Sequence, residues 1–220
     1  VLGWKGVYHR ESYPISRLRR LVDELQGAAD RYRGKQGLPA ETTVRSISDT
    51  IAMFTKCESS FAPEAINVHG ELTELAIRQS IVERIPVRGA IAFGAFATLD
   101  NTFVGKAVDE AASWHEHADW IGVHLTPSAD FVYTGKSGNS LWIKYPPPLK
   151  ARLEWKPHCV NWTRGWKDRN EEIQKLKRLF RSLGPIVPDI APKLINTLNF
   201  VQEACLITRS KKPRNSMSTP

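Results

Sequence analysis

The chain has 220 residues, 41% of them hydrophobic, and 31 Lys and Arg against 23 Asp and Glu give it a formal charge of +8 at pH 7. That length holds one domain or two small ones with a real core. No apolar run nears the ~18 residues of a membrane-spanning helix and the start lacks a signal-peptide pattern. Cys57, Cys159 and Cys205 lie far apart without a CxxC pair, against a zinc ribbon or a disulfide framework. The expectation is a soluble protein of the reducing cytoplasm with no membrane partner. The positive charge implies an anionic partner: nucleic acid, nucleotide or phosphate.

In chain order, "VLGWKGVY" (1–8) reads as the end of a strand running into a loop. "PISRLRRLVDELQGAADRYRG" (14–34) reads as a helix, with Ile15, Leu18, Leu21, Val22 and Leu25 at three- and four-residue steps behind Pro14. "VRSISDTIAMF" (44–54) reads as two short strands around Ser48-Asp49. Aspartate is depleted in strands, so Ser48-Asp49 is a hairpin turn that either only turns the chain or also presents a carboxylate to a cation. A second helix covers 62–85, weakened in the middle by Gly70. "VRGAIAFGAFATL" (87–99) reads as one buried strand with glycines where something approaches closely. "NTFVGKAVDEAASWHEHA" (101–118) reads as a short strand, a glycine hinge and a helix, and "DWIGVHLTP" (119–127) as another strand.

Two paired strands come next, within 139–150 and 153–162, with Pro146, Pro147 and Pro148 breaking the ladder. The remainder is two helices and a basic tail, "TRSKKPRNSMSTP". The order predicts an α+β fold with a mostly antiparallel sheet and helices packed on one side. The cations of the tail and of the helices (Arg17, Arg19 and Arg20 early, Lys175, Lys177 and Arg178 late) read as solvated faces. No basic strand interleaved with aromatics is present to read RNA, so nucleic acid is not the expected partner. His115 and His117 point about 200° apart on a helix and cannot share one ion.

These elements and four local stretches together resemble a class III nucleotidyl cyclase domain. In that family a first strand ends in Asp, two apolar residues, Gly and an aromatic. Val1-Leu2-Gly3-Trp4 match the residues after the Asp, whose own position falls just before Val1. Ser48-Asp49 stands for the family's Gly-Asp hairpin turn, and Arg45 for its base-contacting lysine. "VRGAIAFG" (87–94) is similar to R-x-G-I-x-x-G. "FVGKAVDEAASW" (103–114) keeps Gly105, Val108 and Ala111 of the family's helix motif, with Asp109 where the family has Asn and Ser113 where it has Arg. The resemblance covers residues 1 to 127 and extends through "WIKYPPPLK" and "VNW" to 162. The departures resemble the bacterial pyrimidine cyclases of the Pycsar antiphage systems, which make cyclic UMP or cyclic CMP.

The resemblance implies a ferredoxin-like catalytic domain over 1–165, a helical extension over 166–207 and a flexible basic tail over 208–220. It implies attack of a 3′-hydroxyl on the α-phosphorus of UTP or CTP, assisted by two Mn²⁺ or Mg²⁺ ions. Asp49 and the carbonyl of Val1 would be metal ligands, and Asp109 would stand at a catalytic position. Arg45 would read the base, its guanidinium fork donating to pyrimidine acceptors, with Thr102 at the second base-reading position. The backbone of Leu2, Gly3, Trp4 and Lys5 would face the β- and γ-phosphates. Lys144 and Lys150 are candidates for a triphosphate clamp. A homodimer with shared sites and a separate cyclic-nucleotide-sensing effector are the implied partners. The alternatives are a purine cyclase, a degenerate module that binds nucleotide without turnover, and a basic nucleic-acid-binding protein.

Overall fold

A computed structural model describes residues 14–32, 40–100, 102–135, 140–150 and 153–210. The chain runs α1 (Pro14–Tyr32), β1 (Thr42–Ile47), β2 (Thr50–Thr55), a 3₁₀ turn (Ser59–Phe61) and α2 (Ala62–Val82). It continues through β3 (Gly89–Ile91), β4 (Ala97–Leu99), β5 (Thr102–Val104), α3 (Lys106–His117), β6 (Val123–Leu125) and α4 (Pro127–Val132). The last elements are β7 (Trp142–Lys144), β8 (His158–Val160), α5 (Arg169–Ser182) and α6 (Ala191–Ser210). Helix and strand are mixed as expected of an α+β chain. The strand expected at the start, "VLGWKGVY", lies outside the described residues.

Strands fall into three sheets: the β1-β2 hairpin, the β4-β5 hairpin, and a four-stranded sheet in the order β3-β6-β8-β7. Every pairing is antiparallel except the parallel β3-β6. The expected single strand over 87–99 is broken in two. Gly94 takes φ +154° and Gly105, packed against Ala95, takes φ +138°. A Cβ on Gly105 would lie 2.6 Å from the Ala95 carbonyl oxygen, so only glycine lets α3 start there. The turn of the first hairpin is Ser48-Asp49, with Ile47 paired to Thr50 and Ser48 at φ +55°.

α2 has the length to cross a sheet and is buried on two sides. Ala65, Val68, Leu72 and Ala76 meet the Leu18-Leu21-Leu25 stripe of α1 and Val44 of β1. Ile66 and Ile77 join the main core, built from β6, β7, β8 and the C-terminal helices. Phe200 and Val201 of α6 and Leu176 and Phe180 of α5 are buried in that same core. Each fully buried Leu or Phe contributes about 1.5–3 kcal/mol relative to an exposed one.

The expectation of helices on one side needs correction. Val123, His124 and Leu125 are all buried, so both faces of β6 are covered. In the pairing register Val123 and Leu125 share a face with Val160 and Trp142, on which α2 packs. His124 and Cys159 face the other way, where Trp114 of α3 lies against the His124 ring. A strand covered on both faces reads as an unbroken apolar run rather than an alternating one, and "WIGVHL" has that character.

Gly70 explains its own place in the middle of α2. A Cβ there would come 2.5 Å from Cζ2 of Trp142, whose indole N–H donates to Asn67 Oδ1 at 2.9 Å and fixes the ring. Gly70→Ala is expected to destabilise the fold by about 1–3 kcal/mol, against the gain an alanine normally brings to a helix interior. Urea denaturation of the two proteins measures it.

Candidate functional site

β2 and β3 belong to different sheets, and α2 carries the chain from one to the other. Between them lies a cleft of about 460 Å³. Its walls are β2 from Asp49 to Cys57 and the segment from Val87 to Phe96, its floor is α2, and its far side is Phe103 with Ala107, Val108 and Ala111 of α3. Phe54 meets Phe96 and Phe103 with ring centroids 6.2 and 5.8 Å apart. That contact ties the end of β2 to the segment after β3 and to β5. The surface is apolar with a few polar groups, the usual composition of a ligand site.

Those polar groups are specific. Asp49, half-buried in the hairpin turn, is the single carboxylate among the described residues that line the cleft. His69 of α2 pairs with Thr55 Oγ1 at 2.9 Å, and Thr55 Oγ1 with Thr42 Oγ1 at 2.6 Å. Burial lowers the His69 pKa to about 4, so the ring is neutral at pH 7. Arg88 donates to the carbonyl of Ala118, and burial lowers its pKa while Asp119 and Glu116 act the other way.

Of the residues singled out in the sequence, the cleft gathers Asp49 and the neighbours of Asp109, but not the rest. Val1, Leu2, Gly3, Trp4 and Lys5 lie outside the described residues. Arg45 is exposed on β1 and donates to its neighbour's carbonyl, Val44 O, at 3.1 Å. Thr102 is exposed at the start of β5. Asp109 is exposed in the first turn of α3, its carbonyl accepting from the Ser113 hydroxyl at 2.8 Å. Lys144 sits on β7, three strands from β3 and so roughly 14 Å across the sheet. Its Nζ is 3.1 Å from Asp130 Oδ2. The Lys150 amide bonds the His117 carbonyl at 2.9 Å, beside the bridge between Ala118 and Leu149.

Three groups escaped the sequence reading. Asp130 of α4 accepts from both the amide and Nδ1 of His158, at 2.8 and 2.7 Å, as well as from Lys144. Burial pushes the Asp130 carboxyl up, but the His158 and Lys144 bonds outweigh it and hold the pKa at about 2. No local signal joins Asp130 to His158 across 28 positions. His124 is buried between Trp114 and Trp155, ring centroids at 5.8 and 6.3 Å, and neither ring nitrogen has a partner among the described residues. The third is a hollow of about 400 Å³ beside Tyr32, where Arg164 pairs with Glu71 and Glu74. Arg31 and Arg78 line it as well, so three arginines face two glutamates where α1, α2 and the 162–166 turn meet.

Comparison with models of protein families, with curated proteins and with solved structures found no match. Among the described residues no three His, Cys, Asp or Glu side chains gather as a metal centre.

His69 and His124, both lowered to about 4, fix a pH dependence. Between pH 6.5 and 4 the unfolded chain binds these two protons and the folded chain does not, so stability falls as pH drops through that window. Each ring contributes on the order of 3 kcal/mol to the loss. Denaturant midpoints at pH 7, 5.5 and 4.5 are expected to fall steadily, and to fall less in His124→Phe.

Proposed function

We infer that this chain is a pyrimidine nucleotidyl cyclase, turning UTP or CTP into 3′,5′-cyclic UMP or cyclic CMP and pyrophosphate. The observation that carries the reading is Asp49: a carboxylate in a two-residue hairpin turn, lining the cleft between β2 and β3. The Gly105 hinge ahead of α3 and the short strand within "VRGAIAFG" support it, standing in the order the resemblance requires. In the reaction the 3′-oxygen forms a bond to the α-phosphorus as the bond to pyrophosphate breaks. The protein's task is in-line alignment and charge neutralisation.

The described residues do not fit a two-metal centre by themselves, since Asp49 alone supplies a carboxylate to the cleft. The further ligands that the resemblance asks for fall at and before Val1, so no metal step is assigned to the residues described. A homodimer with shared sites, a separate effector that senses the cyclic nucleotide, a role in antiphage defence and a cytoplasmic location belong to the same reading.

A second reading is a cyclase-like module that binds a nucleotide without turnover. Ser113 favours it: at the position of a charged transition-state residue it offers a hydroxyl, already engaged with Asp109.

Purified protein with each of the four ribonucleoside triphosphates and Mn²⁺ distinguishes these. Cyclic UMP or cyclic CMP is expected as the main product by mass spectrometry, and Asp49→Asn is expected to lower the rate at least about 100-fold, roughly 3 kcal/mol in barrier, at unchanged melting temperature. Cyclic AMP or cyclic GMP as the main product contradicts the substrate class. UTP or CTP binding without any product supports the non-catalytic module.

A further inference from the structure

The hollow beside Tyr32 lies on the side of α2 turned away from the cleft. At about 100° per residue, His69, Thr73 and Ala76 of the cleft floor fall on one side of the helix and Glu71, Glu74 and Arg78 on the other. Arg164 is already engaged there. Its Nε donates to Glu74 Oε2 at 2.8 Å, and a terminal nitrogen donates to Glu71 Oε2. That fork joins the 162–166 turn to α2, and the joint needs no further cation.

Two more guanidinium groups nevertheless line the same hollow. Arg78 reaches a carboxylate only at 3.8 Å, Glu74 Oε1, and its side chain is half exposed. It lies over Gly165, where a Cβ would come 3.1 Å from Arg78 Nη1. Arg31, in the last turn of α1, has no carboxylate partner among the described residues. Beside them stands Tyr32, whose pKa burial and Glu71 push up, so the hydroxyl keeps its proton and donates. Ala28 and Leu75 supply an apolar side.

Three arginines against two glutamates leave the hollow one net positive charge. Attraction to that charge grows in proportion to a ligand's charge, while the cost of stripping its water grows as the square. In a half-enclosed space the balance favours a singly charged anion. Guanidinium forks match the paired oxygens of a phosphate group. The volume of about 400 Å³ is that of a small-molecule site rather than of a bare ion, which leaves the apolar side for a ring.

We propose that this hollow is a second ligand site, separate from the cleft, for a small organic phosphodiester with a single negative charge and a ring. Arg31 and Arg78 hold the phosphate oxygens, Tyr32 donates a further hydrogen bond, and Leu75 and Ala28 meet the ring. A 3′,5′-cyclic nucleotide has that charge and those parts, whereas a nucleoside triphosphate carries several charges. That the occupant is the chain's own product rests on the cyclase reading; the anion site does not.

Titration of the isotope-labelled full chain with methyl phenyl phosphate, and separately with cyclic UMP and cyclic CMP, tests it through amide chemical shifts. Saturable shifts are expected at Ala28, Tyr32, Leu75 and Gly165. Arg31→Ala and Arg78→Ala are each expected to raise the Kd at least about tenfold through loss of a charge-assisted pair. Should an alanine variant melt early, Arg78→Lys decides, since it keeps the charge, gives up the fork and is expected to bind more weakly. Doubly charged phenyl phosphate is expected to bind less tightly than its methyl ester. No shift at the hollow with any probe, a Kd unchanged in the arginine variants, or tighter binding of phenyl phosphate overturns the proposal. Shifts confined to the cleft, or spread over the basic face of α5, overturn it too. Methyl phenyl phosphate seated in the hollow of a chain that makes no cyclic nucleotide supports the site while the cyclase reading fails. A chain that makes cyclic UMP or cyclic CMP but shows no shift there keeps the function and loses the site.

Discussion

Helix α2 is the constraint on which the molecule turns. It is packed on one side by the leucine stripe of α1 and on the other by the Trp142 ring seated over Gly70. A helix clamped from both sides cannot slide, so the strands at its two ends keep a fixed separation. The cleft between β2 and β3 is the direct consequence. So is the position of Asp49, because the hairpin hangs from the same helix through Val44.

The cleft's polarity comes from the groups that α2 and the hairpin place in it. His69 reaches from the helix to Thr55, and Thr55 to Thr42, so the one buried imidazole of the floor is satisfied by a hydroxyl chain and stays neutral. The Arg88 guanidinium, next to the start of β3, is tied to the backbone at Ala118, between two acidic residues that keep it from being an unpaired buried cation. Asp49 is the one carboxylate among the described residues that line the cleft, and Lys56 and Arg88 line it as cations.

The helices were legible because their apolar spacing is local: α1 and α2 begin at Pro14 and Ala62 as the periodicity requires. The hairpin was legible because Ser48-Asp49 is turn chemistry between two β-type runs. The break after β3 was not, since it depends on Gly105 docking against Ala95, a contact outside any local window. The covering of both sheet faces was missed because His124 disguises an apolar position: it is buried by two tryptophans, one of them 31 residues away at Trp155. Lys144 illustrates the limit for site residues. Its sequence context fits a cationic clamp, and only the fold reveals that it shares Asp130 with His158 on the far strand of the sheet.

The central claim is that the Asp49 cleft handles the nucleotide. Paramagnetic broadening of amide resonances by a substoichiometric Mn²⁺·UTP or Mn²⁺·CTP complex tests it most directly. The account expects the signals of Ser48 to Ile51 to broaden first, with the residues around Gly94 and Gly105 next. Broadening that begins instead at the basic face of α5, or spreads evenly over the surface, would contradict it.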